Sequence, residues 1–314
     1  MTATLDQLPG ALPEAVAAEK PTSLWRDTLK NILRQRSAIV GIAFLAFLVL
    51  VAVFAPVIAT HDPNLPMIGI EEGAKPRSAP CIHLLGCPET QPEHFMGLDG
   101  NARDVYSRVV YGARVSLWIG FVTVGVAILI GMIIGAIAGF FGRTDNVLMR
   151  LMDVVLAFPS LLLAIAIVTV LGQSLVNAQL AIAIVSIPIY ARVTRASVLS
   201  VREQEFVAAS LALGESRLGI LRRRIMPNAL TPVIVQGTLG IAAAIIEVAA
   251  LSFLGIGAQP PLAEWGSMIG IERNAVFAAP HLILFPGAAI VITCLAFNLL
   301  GDGARDALDP RLNR

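Results

Sequence analysis

Charged residues are scarce in this chain, and their scarcity excludes most water-soluble folds. Only 14% of the 314 residues are charged and 56% are hydrophobic, with a mean hydropathy of +0.76. Soluble domains average about 25% charged residues. A net charge of +1 also argues against a nucleic-acid partner, because neutralising a phosphate backbone requires a strongly basic surface. The composition therefore predicts an integral membrane protein.

Cysteine is nearly absent too, with three residues in the whole chain. None forms a CxxC pair, and the four histidines show no zinc-finger spacing, so metal chemistry is not indicated. Cys81 and Cys87 share a polar stretch. If that stretch is extracytoplasmic they are able to form a local disulfide, but spacing alone leaves the reduced state equally open. Cys294 lies in an apolar run and is expected in the core.

Motifs for catalysis are missing as well. The sequence contains no GxxxxGK[ST] phosphate loop, no GxSxG elbow and no HExxH pair, so it offers no cradle for ATP phosphates and no hydrolase nucleophile. We therefore expect a chain that is not an enzyme on its own and binds no cofactor, and any ATP-derived energy must come from another subunit.

Long apolar runs are what the sequence does have. A helix needs about 20 residues to cross about 30 Å of hydrocarbon, and six segments reach or approach that length. The fourth is the weakest, because it is short and polar. The predicted spans are Ile39–Ala59, Val115–Phe141, Leu151–Leu171, Leu175–Tyr190, Leu230–Phe253 and Leu282–Leu300.

Lys and Arg fall mainly on one side of these spans, which predicts that both termini are cytoplasmic. The expected organisation is a cytoplasmic tail (1–36), a first span with an extracytoplasmic loop (37–114), a core of five spans (115–303) and a cytoplasmic C-terminal tail (304–314). The core would contain a long cytoplasmic loop at 191–229.

That cytoplasmic loop carries a helical pattern. Phe206, Ala209, Ser210 and Leu213 recur at helical spacing, which predicts a helix of about ten residues with a small-residue face. Gly214 is expected to end it. Ser216 is expected to cap a second helix that runs to Met226, with Pro227 beginning the next span. The helix either inserts into a groove on a cytoplasmic partner or lies on lipid headgroups, with Arg222, Arg223 and Arg224 facing anionic lipid.

This stretch resembles the EAA loop of ABC-importer permeases. Aligned on Gly214, the chain keeps Ala209, Ala212, Ser216, Ile220, Pro227 and Asn228, and it departs at Ala208 and Arg224, where the family has Glu and His. The resemblance implies a coupling helix that docks on an ATPase. The implied ATPase-coupling residues are Glu205, Phe206, Ala209, Ser210, Ala212, Leu213, Gly214, Ser216, Arg217, Pro227 and Asn228.

Four further stretches are similar to the C-type permease of dipeptide and oligopeptide importers. Leu98 and Ala102 stand where that family has Thr and Gly, and residues 75–92 look like an insertion. The stretches are 94–99 (His-Phe-Met-Gly-Leu-Asp) with 103–108 (Arg-Asp-Val-Tyr-Ser-Arg), 149–153 (Met-Arg-Leu-Met-Asp) with 157–160 (Ala-Phe-Pro-Ser), 247–255 (Glu-Val-Ala-Ala-Leu-Ser-Phe-Leu-Gly) with 259–261 (Gln-Pro-Pro), and 297–303 (Phe-Asn-Leu-Leu-Gly-Asp-Gly) with 305–311 (Arg-Asp-Ala-Leu-Asp-Pro-Arg).

The resemblance implies an all-α integral membrane protein of the bacterial cytoplasmic membrane, with six transmembrane helices in the type I ABC importer permease fold. It also implies a second homologous permease, two ABC ATPase domains, an extracytoplasmic substrate-binding protein and a peptide substrate. Nickel or another small solute in the same family is the alternative cargo. An ATPase-independent secondary transporter or channel is the alternative class, although no internal repeat supports it.

Ionisable residues inside spans are functional candidates because their burial in lipid is costly. Asp153 is expected either to pair with Arg150 or to serve function. Glu247 is expected to line the translocation path or to pair with the partner permease. Pro159 and Pro188 predict kinks, and Gly131, Gly135 and Gly139 predict close helix packing within the chain. Arg103, Asp104 and Arg108 are expected in a solvated charged turn, with docking of a substrate-delivering protein as the alternative.

Overall fold

The structure is a computed structural model that describes Leu33 and residues 35–308. Most of the predicted tail 1–36 and residues 309–314 of the C-terminal tail, including the motif end at Asp309-Pro310-Arg311, lie outside the described residues. The two tails remain predictions.

The described residues form helices joined by irregular segments and isolated bridges, without a strand. Short 3₁₀ turns occur at His83–Leu85 and Arg273–Ala275, and a π-helical turn at Leu221–Ile225 joins α8 to α9. The α-helices are α1 (Arg36–Val53), α2 (Ala55–Ile58), α3 (Val105–Phe140), α4 (Gly142–Leu156), α5 (Ser160–Leu171), α6 (Leu175–Arg202), α7 (Glu205–Ala212), α8 (Arg217–Ile220), α9 (Met226–Phe253), α10 (Trp265–Glu272) and α11 (His281–Leu308).

Five helical stretches of the described chain are long and apolar enough to cross a membrane: α1, α3, α6, the continuous run α8–α9 and α11. The third predicted span, Leu151–Leu171, is wrong as a single helix, because α4 and α5 meet at 89°. The break falls at Ala157–Pro159. Proline has no N–H to donate and disfavours helical backbone in the residue before it, so the helix ends there.

The bent pair α4–α5 nevertheless carries the chain across the bundle. Helices α3 and α6 run parallel, because Gly131 of α3 meets the carbonyl of Ile187 and Gly139, two turns later, meets that of Arg195. Chain leaving the end of α3 must therefore return to the opposite end before α6 begins. The described residues thus make six passes, and the glycines spaced four apart on α3 pack inside the chain, as predicted.

Helix α6 is the centre of this bundle. Half of its most apolar stretch is buried, against α3, α5 and α9. Gln179, only 7% exposed, is thus enclosed by neighbouring helices. The predicted loop 191–229 is wrong at its start, since α6 continues to Arg202. Most of the remainder is also helical.

At one end of the bundle, which we call the α10 end, residues 59–104 pack with residues 254–280. Glu272 of α10 accepts hydrogen bonds from Arg77 Nε at 2.9 Å and from the Gly100 amide at 2.8 Å. The Trp265 indole donates to the Val109 carbonyl at 2.9 Å. These contacts fix both the long segment after α2 and the start of α3 against α10.

The expected solvated turn at Arg103, Asp104 and Arg108 is wrong, because these side chains are 5%, 0% and 1% exposed. Arg103 pairs with Asp99 at 2.7 Å, and Arg108 donates to a backbone carbonyl at 2.8 Å. Folding of the long segment over the start of α3 removes them from water, where Asp99 pairs with Arg103 and lies 3.6 Å from Arg108 Nε.

The cysteine-bearing stretch belongs to the same end. Cys81 and Cys87 are joined in a disulfide, with Cα atoms 5.4 Å apart. The six-residue separation encloses the 3₁₀ turn, which presents Leu84 at 93% exposure. Cys294 is free and buried, as expected.

Candidate functional site: α7 and its mount

The inner face of α7 anchors it to the bundle. Val207 is 2% exposed and lies in an apolar cluster with Val198 of α6, Ile220 of α8 and Ile225 of the π-helical turn. Burial of such side chains contributes about 1.5–3 kcal/mol each. The helix is therefore held by residues before and after it in the chain.

The outer face of α7 is apolar, small and exposed. Phe206 is 39% exposed and Leu213 is 88% exposed, while Ala209 and Ala212 lie open between them. Ser210 differs from the expectation: it is 9% exposed and its hydroxyl donates to the Phe206 carbonyl at 2.9 Å. It thus lies on the inner face.

The ends of α7 follow the sequence signals. The helix ends at Ala212, and Gly214 has φ +81°, a left-handed conformation that glycine adopts without strain. Ser216 then caps α8, accepting a hydrogen bond from the Gly219 amide at 3.2 Å. Glu205 lies in the first turn of α7, where a negative charge is favoured by the helix dipole.

The helical stretch capped by Ser216 runs to Met226 and Pro227 lies at the start of α9, as expected, with no loop between α8 and α9. The π-helical turn Leu221–Ile225 runs directly into α9, so that Pro227, which lacks an amide proton, is accommodated without a break. The Asn228 side-chain amide donates to the Arg224 carbonyl at 2.7 Å. Pro227 and Asn228 therefore lie within a continuous helical connection between α7 and the membrane.

A cleft of about 760 Å³ lies beside α7, between the end of α3, the start of α4 and the turn at Glu203–Gln204. Ala208 and Leu211 form its α7 wall, and Arg143 and Arg217 add positive charge. A groove next to an exposed apolar helix is suited to receive a protein partner. We call this region, residues 140–143 and 202–225, the α7 end.

Asp153 pairs with a residue other than Arg150, the partner that the sequence suggested. Its carboxylate pairs with Arg192 of α6, and both side chains are more than half exposed. A second pair that sequence reasoning missed, Asp145 with Arg195, ties α4 to α6 in the same region. In each of the two pairs, the acid and the arginine lie about 40–50 residues apart in the chain. No local spacing in the sequence indicates such a pair.

Glu247 lies on α9 at the bend of the α4–α5 pair. The Ser160 hydroxyl donates to its carboxylate at 3.2 Å, and Ser160 is itself exposed on the surface of the chain. Glu247 itself is partly exposed, and a carboxylate within a membrane span is costly against lipid. The position therefore fits a contact with another subunit or with an aqueous path.

Two family descriptions match the sequence. Residues 127–314 match the family described as "Binding-protein-dependent transport system inner membrane component". Residues 23–76 match "N-terminal TM domain of oligopeptide transport permease C".

Two curated relatives align over nearly the whole chain. The dipeptide transport system permease protein DppC of Alkalihalophilus pseudofirmus is 44% identical, over 92% of this chain and 91% of the relative. The di/tripeptide transport system permease protein DppC of Pseudomonas aeruginosa is 40% identical, over 97% of this chain and 96% of the relative.

A solved structure shares the fold. A chain from inward-facing structures of the MetNI methionine ABC transporter superposes with a TM-score of 0.53 at 17% identity, covering 63% of this chain and 95% of the other. The remaining part of this chain lies outside that superposition.

Proposed function

Because this chain belongs to the family of binding-protein-dependent transport system inner membrane components, we propose that it carries dipeptides or short oligopeptides across the cytoplasmic membrane. The chain is a multi-pass permease subunit of an ATP-binding-cassette importer. The observation that carries the proposal is the exposed apolar face of α7, mounted on a continuous helix into the bundle. Peptide cargo is supported by relatives at 40–44% identity that are named for dipeptide and di/tripeptide transport.

In this proposal α7 docks on an ATPase. Closure of the ATPase pair moves α7, and the continuous run α8–α9 transmits the displacement to the membrane. The chain itself hydrolyses no ATP. Its partners are two ATPase domains, a second homologous permease and an extracytoplasmic substrate-binding protein that selects the cargo.

Orientation follows from the same proposal. With α7 in the cytoplasm, six passes place both termini in the cytoplasm and the α10 end outside. Glu247 then lies within the membrane on the surface that the second permease or the translocation path covers. Its carboxylate would attract the amino terminus of a peptide or pair with a cation of the partner.

The coupling function is tested in proteoliposomes that contain this chain, its co-expressed partner subunits and the binding protein. Leu213→Ser removes an exposed apolar contact without disturbing the core, and we expect ATP-dependent dipeptide uptake to fall about tenfold or more, as for an interface hot spot. Leu84→Ser, a change at a comparably exposed leucine of the α10 end, is the matched control and should transport normally.

Dipeptide uptake without ATP would contradict the proposal in favour of a secondary transporter. Equal uptake by the Leu213→Ser variant and the wild-type protein would contradict the docking role of α7. Uptake of nickel in place of peptides would reject the cargo alone, and would leave the permease mechanism unaffected.

A further inference from the structure

Two histidines and a glutamate converge at the α10 end, far from α7. His61 Nε2 lies 3.1 Å from Glu71 Oε1, and His94 Nε2 lies 3.0 Å from Glu71 Oε2. One donor atom from each of the three side chains lies within 4.8 Å of the other two. Ligand atoms in a tetrahedral zinc site are about 3.3 Å apart, as follows from bond lengths of about 2.0–2.1 Å. Small side-chain adjustments therefore suffice to place an ion among them.

The outer nitrogens of both rings are also held. His94 Nδ1 lies 2.9 Å from Asp104 Oδ1, and His61 Nδ1 lies 2.9 Å from the Thr60 hydroxyl, which itself donates to Asp104 at 3.3 Å. A metal-binding histidine usually donates its second ring N–H to such an oxygen, which fixes the ring and leaves Nε2 free for the metal. Both rings thus have the orientation that metal binding requires.

The charges of the cluster call for a cation. His94 has a carboxylate oxygen at each ring nitrogen, so a neutral ring would leave one lone pair facing an anion. Among the described residues, Glu71 and Asp104 make ion pairs with the two histidines alone. A metal ion bound to His94 balances the negative charge of Glu71 and Asp104, as an added proton does, and it also binds His61.

The backbone already holds these ligands in place. His94 exchanges two backbone hydrogen bonds with Cys81, at 2.9 and 3.0 Å, and Cys81 is itself in the disulfide. The His61 amide donates to the Ser107 hydroxyl at 3.0 Å. The cluster is open to solvent on one side, because His61 is 23% and Glu71 27% exposed, whereas His94 is 2% exposed.

We propose that His61, Glu71 and His94 bind one Zn²⁺ ion, which cross-links three parts of the segment 59–104 beside the start of α3. Two imidazoles and one carboxylate form a donor set that suits zinc, with water in the fourth position on the exposed side. Sequence spacing conceals the site, because its ligands are 10 and 23 residues apart in an irregular segment.

The test uses the full-length chain, purified with its partner subunits, freed of any affinity tag and stripped with a chelator. Zinc is then returned in a chelator-buffered series, and bound metal is measured by mass spectrometry. We expect one high-affinity Zn²⁺ per chain and a raised midpoint of thermal unfolding. His61→Ala and Glu71→Gln alter partly exposed ligands, and each should weaken binding by more than tenfold. Thr60→Val, which removes an outer oxygen, should weaken it by about tenfold.

His83→Ala is the matched control, because His83 lies in the same segment but contacts the Gln91 carbonyl outside the cluster. It should bind zinc as the wild type does. A wild-type chain that takes up no zinc would overturn the proposal and leave a hydrogen-bonded ionic network. Unchanged affinity in the His61 and Glu71 variants would overturn it too, by placing the metal elsewhere. Co²⁺ substitution gives a readout independent of stability, since four-coordinate Co²⁺ absorbs strongly in the visible range only when these ligands are present.

Discussion

At the scale of single residues, the contact between α3 and α6 leaves no room for a side chain at Gly135. A Cβ on Gly135 would meet the Ala191 carbonyl, and it would lie 2.7 Å from Thr194 Cβ. The backbone of α6 is unable to yield without losing its own hydrogen bonds. We expect Gly135→Val to lower the free energy of unfolding by about 3 kcal/mol, the upper end of overpacking costs in a core. The measurement is the unfolding midpoint followed by tryptophan fluorescence.

The same helix provides the control. Gly125 is exposed and a Cβ there meets no atom within 4 Å, so Gly125→Val should leave the midpoint unchanged within about 0.5 kcal/mol. Equal loss of stability in both variants would show that helix propensity, and not the contact with α6, sets the effect.

Residue-scale features were predictable where the signal is local. The glycine spacing on α3, the stop at Gly214 and the cap at Ser216 depend on a few neighbouring residues, and the structure has all three. Ala102 stands where the resembling family has glycine, and its φ is +56°. The backbone therefore keeps the turn that usually calls for glycine.

Features that depend on tertiary contacts were missed. Arg103, Asp104 and Arg108 read as a solvated turn because charge normally marks a surface. Their burial results from the fold of a segment without periodicity. The convergence of His61 and His94 on one glutamate is hidden for the same reason.

At the scale of elements, α7 has two faces with opposite sensitivities. Val207 is 2% exposed and lies in the apolar cluster, whereas its neighbour Ala208 is exposed, although both border the cleft. We expect Val207→Asp to detach α7, because an unpaired buried charge costs about 3–5 kcal/mol. Hydrogen exchange of the amides in 205–212 should then rise sharply, while the bundle stays protected.

Ala208→Asp is the matched variant, since it places the same charge one residue away on the cleft side. It should leave the exchange of α7 near the wild-type rate. If both variants exchange alike, α7 is not held by its inner face and the anchoring role of Val207 is wrong.

Element existence was easier to predict than element shape. All six apolar segments are mostly helical, although the third is divided between α4 and α5. About 20 apolar residues with few charges have few other stable structures in a membrane. The kink predicted at Pro159 is present, but its size, an 89° break between two helices, and the extension of α6 to Arg202 were not foreseen. Hydropathy indicates where the apolar run of a helix ends, but it does not indicate where the helix ends. Helix α6 continues beyond its apolar run because it packs against α3.

At the scale of the whole molecule, the number of passes through the membrane determines on which side each end of the chain lies. The parallel course of α3 and α6 requires the α4–α5 pair to return the chain across the bundle, which gives six passes within residues 35–308. An even number places both ends of the described chain on one side. The α7 end and the α10 end must then face opposite sides of the membrane.

This arrangement is testable by cysteine labelling in intact cells. The native background is low, because Cys81 and Cys87 are joined and Cys294 is buried. Leu213 at the α7 end is 88% exposed and Phe277 at the α10 end is 99% exposed. We expect a membrane-impermeant maleimide to label Phe277→Cys in intact cells, and Leu213→Cys only after the membrane is opened. Labelling of both from outside would reject the six-pass topology. The reverse pattern would place α7 out of reach of any cytoplasmic ATPase.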